Sequence, residues 1–179
     1  MGLNATLSFR RAVPADAPEI AALVNICYRG ETSRQGWTTE ADLLTGLRTD
    51  VEEISGLIVD DRFNILLCER GPELVGSVCI ERQGEQAHLG LFVVRPNLQG
   101  QNIGKQLLAF AELTASQNWQ VSKMAMAVIS CRHELIAYYQ RRGYQRTRIF
   151  REFPLNPALW QPQVENLQLE ILEKPLAVN

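Results

Sequence analysis

The sequence predicts a mixed α/β (α+β) fold: a mostly antiparallel central sheet with helices on both faces. Three observations carry this. Residues 63–70, 74–82 and 86–95 are strand-like runs in succession, separated only by the turns Gly71-Pro72-Glu73 and Gln83-Gly84-Glu85, which makes an antiparallel meander. Segments with apolar residues at helical spacing lie before and after the meander. The third run is apolar on both faces, as a central strand is.

Taken in order, residues 7–13 alternate apolar and polar, the period of a half-buried strand. Pro14-Ala15-Asp16 opens a helix, with Pro18 and Glu19 in its first turn. Ile20, Leu23, Val24 and Cys27 then recur at i, i+3, i+4 and i+7, one face of that helix. Residues 29–38 read as a polar and aromatic loop. Thr38 or Thr39 is the expected cap of a second helix carrying Leu43, Leu44 and Leu47, and residues 51–61 read as helical and then loop. After the meander, Ile103, Leu107, Phe110 and Ala111 form the buried stripe of a helix that opens near Asn102. Residues 124–129 read as a buried strand, Ser130 as the cap of a helix running to Arg142, and Gly143 as its C′ residue. Two closing strands, 144–153 and 167–175, are joined by a loop that contains Trp160. The order is β-α-α-β-β-β-α-β-α-β-β, with no repeat, low-complexity stretch or linker, so residues 1–179 are read as one domain.

Composition narrows the function classes. With 46% hydrophobic and 21% charged residues the chain reads as an ordinary soluble globular protein, and a net charge of −2 gives no reason to expect nucleic acid as a partner. The four cysteines, Cys27, Cys68, Cys79 and Cys131, form no CxxC pair, and three lie in apolar runs. A metal site or disulfide framework is therefore not expected, and a reducing, cytoplasmic compartment is. No apolar run approaches ~18 residues, so no membrane span is expected, and the N-terminal segment lacks the apolar core of a signal peptide.

The most informative stretch is 94–108. A hydrophobic strand ends at Arg95-Pro96, a short Gly-containing loop follows, and a helix begins near Asn102. That layout aims several backbone N–H groups and a helix dipole at one spot, which suits a phosphate or pyrophosphate. It is not a Walker loop, since Gln106 rather than Ser or Thr follows Lys105, and it is not GxGxxG. Gln99-Gly100-Gln101-Asn102-Ile103-Gly104 resembles the [QR]-x-x-G-x-[GA] signature of the GNAT acetyltransferase superfamily, whose loop holds the pyrophosphate of acetyl-CoA. The element order is also similar to that family's. A second segment, Tyr139-Gln140-Arg141-Arg142-Gly143-Tyr144, resembles the family's Y-x-x-x-G-[FY].

The resemblance implies an N-acetyltransferase that uses acetyl-CoA as cosubstrate and acts by direct transfer to a primary amine of a small molecule or peptide. It implies that Gln99, Gly100, Gln101, Asn102, Ile103 and Gly104 bind the cofactor, with the main chain of Phe92, Val93 and Val94 pairing with pantetheine and supplying the oxyanion donor. Asn102 replaces the first Gly of the family's G-x-G; Asn tolerates positive φ and caps helices. Lys105 is either a further phosphate contact or a solvated lysine. Arg132 stands where relatives often have an Asn that contacts coenzyme A, and either reaches a phosphate or pairs with an acid.

The resemblance also points to Tyr139 as general acid, because a thiol of pKa ~8.5 leaves more readily when a phenol donates to it. Packing under the sheet is the competing role for this side chain. His88 stands where many relatives carry a Glu base, and a neutral imidazole could take the amine proton near pH 7. It lies four residues from Phe92, about 13 Å along an extended strand, which calls for a water relay. Glu81 and Glu85 compete for the same role, and a solvent-facing His88 is the simpler alternative. In the 28–40 loop, Tyr28 and Trp37 are candidate walls of the acceptor site, with Glu31 or Glu40 placed to attract a cationic amine. Packing of Trp37 on the second helix, and capping by Thr38 and Glu40, are the alternatives. The tail from Pro154 onward either closes the pocket or offers a homodimer edge. A non-catalytic acyl-CoA-binding or regulatory module with the same fold is the main alternative function, ahead of an ATP-binding protein and of a covalent route through Cys131.

Overall fold

Alternating side chains and tight turns build most of the sheet. A computed structural model describes residues 6–177. Strands β1 (Leu7–Arg11), β3 (Phe63–Arg70), β4 (Glu73–Gln83) and β5 (Gln86–Val94) pair in that order, each antiparallel to the next. Gly71 and Gly84, at φ +61° and +63°, supply the left-handed backbone that the two hairpin turns need. Strand β6 (Lys123–Ile129) lies parallel to β5, and the connection between them carries helix α4 (Ile103–Trp119), the crossover that a parallel pair requires. Strands β9 (Gln168–Pro175) and β7 (Gln145–Glu152) complete seven strands in the order β1-β3-β4-β5-β6-β9-β7. The mixed, mostly antiparallel sheet expected from the sequence is therefore the one observed.

Helices cover both faces. On one side α1 (Ala17–Tyr28) and α3 (Val51–Val59) bury Ile20, Leu23, Val24 and Ile54 against Ile65, Leu67, Cys79 and Val93. Asp50 caps α3, its carboxylate accepting the Glu53 N–H at 2.8 Å. On the other side α4 and α5 (His133–Gln140) set Ile103, Leu107, Leu108 and Ile136 on Leu66, Val78, Ile80 and Leu89. A side chain such as Leu107, 0% exposed, contributes about 1.5–3 kcal/mol by burial.

Two expectations about helices fail, for identifiable reasons. No helix forms over Leu43, Leu44 and Leu47. Instead residues 41–43 turn, and β2 (Leu44–Gly46) pairs antiparallel with β8 (Trp160–Pro162) in a separate two-stranded sheet. Gly46 sits at φ +85°, and a Cβ there would meet the Leu159 carbonyl oxygen at 2.1 Å, so the chain is committed to a partner more than a hundred residues away. The second helix of the chain is the single turn α2 (Gly30–Ser33), inside the stretch read as loop. Nor does Ser130 cap α5, which starts later, with Arg132 at its N-cap. At its other end Gly143 (φ +91°) does serve as C′: its N–H reaches Gln140 O at 3.0 Å and the Tyr144 N–H reaches Tyr139 O at 3.2 Å, the two bonds of a Schellman turn.

Candidate active site

A one-residue irregularity in β5 opens the sheet. Ser77 pairs with Val93 and Cys79 with Gly90, so Leu91 and Phe92 together oppose Val78, and Leu91 takes φ +47°. The extra residue resets the alternation. Ala87 and Leu89 pack in the α4 core, and after the bulge it is Phe92 and Val94 that face that side while Val93 faces α1. Pairing between β5 and β6 runs only from Gln86↔Lys123 to Leu89↔Met126. Beyond that point β6 pairs with β9 alone, and a slot opens between the two parallel strands.

The α4 N-terminus borders the slot. Asn102 takes φ +67°, the left-handed conformation expected of it, although its side chain makes no capping bond. Among the described residues no acceptor pairs with the N–H groups of Gly100, Gln101, Asn102, Ile103, Gly104 or Lys105, and the ladder resumes with Gln106 N–H to Asn102 O at 3.3 Å. Free amides at the positive end of a 17-residue helix attract anions. All but that of Gln101 belong to residues that border a cavity of about 380 Å³, which Arg132, Arg141 and Arg142 also line; among the described residues no acidic side chain does. Phe92, Val93, Val94, Gln99, Gly100, Ile103 and Gly104 are in its wall as well. Gln101 is not: its side chain is exposed and accepts from Arg70 at 3.0 Å. The Gln99 carboxamide instead braces the neighbouring loop, accepting the Trp37 N–H at 2.9 Å and donating to Thr38 Oγ1 at 2.9 Å and Val94 O at 3.2 Å. Space at Gly104 is tight, since a Cβ would meet the Tyr138 hydroxyl at 2.9 Å. Trp37, partly exposed, packs its ring at a tilt of 50° against Tyr138 with centroids 5.1 Å apart, and the Arg142 guanidinium lies 3.3 Å from the centre of the Tyr138 ring.

A second cavity, about 270 Å³, lies across the slot. The two share Tyr28, Phe92, Arg132, Leu135 and Tyr139 in their walls. Tyr139 is 5% exposed, with its ring against Tyr138, Tyr144 and Phe92. The Tyr28 hydroxyl donates to Phe92 O at 2.9 Å and that of Tyr144 to Glu112 Oε1 at 2.9 Å, whereas the Tyr139 hydroxyl has no partner among the described residues. Burial, reinforced by Tyr28 and Tyr138, holds its pKa well above the usual 10, so the hydroxyl keeps its proton at neutral pH. Burial likewise raises Tyr28 to about 12.

His88 lines the second cavity, on the α1 face of β5 directly across from Glu81. Burial lowers its pKa below 6.5, with Glu81 opposing and Arg151 adding to the shift, so the ring is neutral at pH 7. Glu85 is exposed in the turn before β5 and lines neither cavity. Glu31 departs from its expected place in the acceptor site. It is exposed, paired with Arg34 at 3.1 Å, and outside both walls. Glu40 is the acid that lines the second cavity, and both its oxygens are taken, by Arg29 at 2.5 Å and by Arg132 at 3.5 Å. Arg132 therefore pairs with an acid. Cys131 is exposed and lines neither cavity.

Several wall residues escaped the reading of the sequence. Arg141 and Arg142 lie inside the Tyr139–Tyr144 motif and were legible there as a pair of cations near a helix end. Arg29, Arg48, Phe153 and, at the start of β8, Trp160 come from separate parts of the chain and carry no local signal. Phe153 and, from the segment that follows it, Pro154 and Trp160 stand in the wall of the second cavity.

The chain's likeness to known proteins agrees with this geometry. No curated protein matches it by sequence. Among solved structures it resembles the ribosomal-protein-S18-alanine N-acetyltransferase from Escherichia coli (12% identity, TM-score 0.71, covering 97% of this chain and 96% of that one). It also resembles a ribosomal-protein-alanine N-acetyltransferase from Brucella melitensis (20%, 0.71, 94% and 99%). A third is a probable acetyltransferase from Staphylococcus epidermidis (12%, 0.72, 96% and 100%). At such identities these likenesses establish the fold. The sequence itself matches the model of the acetyltransferase (GNAT) family over residues 21–144, well over half its length, and the chain belongs to that family.

Proposed function

We propose that the protein transfers the acetyl group of acetyl-CoA directly to a primary amine of a small molecule or peptide. The observation that carries this is the meeting of two cavities at Tyr139: one is cationic and lined with free amides, and the other holds a neutral imidazole. The first cavity suits acetyl-CoA, with the amides of Gly100 to Lys105 and the side chains of Lys105, Arg141 and Arg142 toward its phosphates. The main chain of Phe92, Val93 and Val94 lies along the slot, where backbone N–H groups would stabilise the developing oxyanion.

Acetyl-CoA supplies the thioester. The acceptor amine forms the new C–N bond from the second cavity, and the C–S bond breaks. Tyr139 gives its proton to the departing sulfur, and His88, directly or through water, takes the proton that the amine loses. Each then returns to its starting state by exchange with solvent. Two open cavities that share a donor support turnover over a binding-only module, and the position of Cys131 supports direct transfer over an acyl-enzyme. Four unpaired cysteines suit a cytoplasmic location.

The test is thiol release from acetyl-CoA over a panel of primary amines, beside a direct measurement of acetyl-CoA binding. Amine-dependent release is expected. Tight acetyl-CoA binding with no release on any amine would instead favour the non-catalytic module.

A further inference from the structure

The second cavity contains more positive charge than its own structure uses. Arg29 follows α1, is 6% exposed, and lines the cavity wall. Its Nη1 donates to Glu40, but Nε and Nη2 are buried without any acceptor among the described residues. Leaving buried guanidinium donors unpaired is costly, and the planar Nε/Nη2 edge matches a carboxylate in two-point fashion. Arg48 lines the same wall, half-buried, with its guanidinium 5.9 Å from the Tyr28 ring centre and 5.8 Å from that of Trp160. Among the described residues the cavity thus has three arginines and a single carboxylate in its wall, and that carboxylate is already held by two of the arginines.

We infer that the acceptor is an amine that also bears a carboxylate, of the amino-acid class, and that Arg29 and Arg48 hold its anionic end while the amine faces the slot. The inference rests on the acetyl-transfer reading above and narrows it. A diamine or polyamine would need free acid groups in this cavity, and Glu40 is not free. An amine with its own carboxylate brings the counter-charge that this wall lacks. About 270 Å³ accommodates a single amino acid. The remaining wall from Leu89, Leu91, Met126 and Phe153 suits an apolar side chain.

The experiment compares matched acceptors on the intact protein: each common L-amino acid against its own carboxamide, with putrescine and spermidine alongside, reading thiol release from acetyl-CoA. Free acids should exceed their amides in kcat/KM by roughly tenfold to hundredfold, the range of a charge-assisted bond. Arg29→Lys keeps the charge beside Glu40 but removes the free edge. It should raise KM for the acids more than for the amides, and Arg48→Gln, which leaves the Arg29–Glu40 pair in place, should narrow the same ratio. Turnover in which amides or polyamines do as well as the acids overturns the inference and leaves acetyl transfer standing. Absence of turnover on every acceptor counts against the transfer reading instead. In that event thermal shifts with N-acetyl-L-leucine and N-acetyl-L-leucinamide, coenzyme A present, still read the anion preference. Equal shifts for the two would overturn it.

Discussion

Replacing Tyr139 by Phe tests whether its hydroxyl is catalytic, as proposed, or whether its ring only packs. The hydroxyl has no hydrogen-bond partner among the described residues, unlike those of Tyr28 and Tyr144, so its removal orphans nothing and should change folding stability by less than about 0.5 kcal/mol. The ring keeps its contacts with Tyr144 at 5.7 Å, Tyr138 at 5.3 Å and Phe92 at 6.4 Å. In the proposed mechanism the loss is that of the proton donor to a thiolate leaving group, a contribution of roughly 10²–10⁴ in rate, which corresponds to about 2.7–5.4 kcal/mol in the barrier. Tyr139→Ala, by contrast, removes a ring only 5% exposed and should destabilise the fold by about 3–5 kcal/mol. The measurements are kcat from thiol release, acetyl-CoA affinity by calorimetry, and Tm. Phe should lower kcat at least a hundredfold with affinity and Tm nearly unchanged, and Ala should lower Tm as well. A Phe variant that keeps kcat within about twofold would refute the assignment and leave Tyr139 a core aromatic.

Three further outcomes are expected. Because burial depresses the His88 pKa below 6.5, kcat should fall as pH drops through that lowered value and the ring is protonated. His88→Gln should lower kcat about a hundredfold and abolish this acid limb, and an unchanged profile would transfer the base role to Glu81 or to water. Glu170 is fully buried and its pKa is lowered from 4.5 chiefly by the hydrogen bond from Arg146 (2.9 and 2.6 Å). A depressed folded-state pKa means that its stabilisation is complete above pH 4.5 and disappears as pH falls through the lower value. Arg146→Met should then destabilise the fold at pH 7 and do so less at pH 3, where the Glu170 carboxylate it would orphan is protonated; equal losses in calorimetric scans at both pH values would contradict this. Finally, the Cys27 and Cys79 thiols are pushed to about 12 and Cys68 to about 11 by burial, while Cys131 is exposed. Iodoacetamide on the native protein should label Cys131 alone, by mass spectrometry, without loss of activity, and loss of activity on single labelling would bring Cys131 back into the mechanism.

What the chain's linear order determines is whatever depends on neighbours within about ten residues. The meander, the α1 stripe of Ile20, Leu23, Val24 and Cys27, the α4 stripe, the left-handed Asn102 and the Schellman turn at Gly143 all follow from local spacing and backbone preference. So do the two motifs that bring Gly100, Gly104 and Tyr139 to one cavity. Three things lay beyond that range. Leu44 to Gly46 has three leucines nearby at helical spacing and is still a strand, because its hydrogen-bond partners at Trp160–Pro162 are supplied from far along the chain. The slot depends on where β5 and β6 part company, and that is set by a bulge at Leu91, a residue whose type gives no hint of positive φ. The charge of the second cavity was decided by tertiary structure alone. Counted along the 28–40 loop, Glu31 and Glu40 promised an acidic site. Folding exposes Glu31 to solvent, closes Glu40 between Arg29 and Arg132, and brings Arg48 in from another loop. Charges separated in sequence are summed only when the chain packs, so the sign of a pocket is a property of its fold.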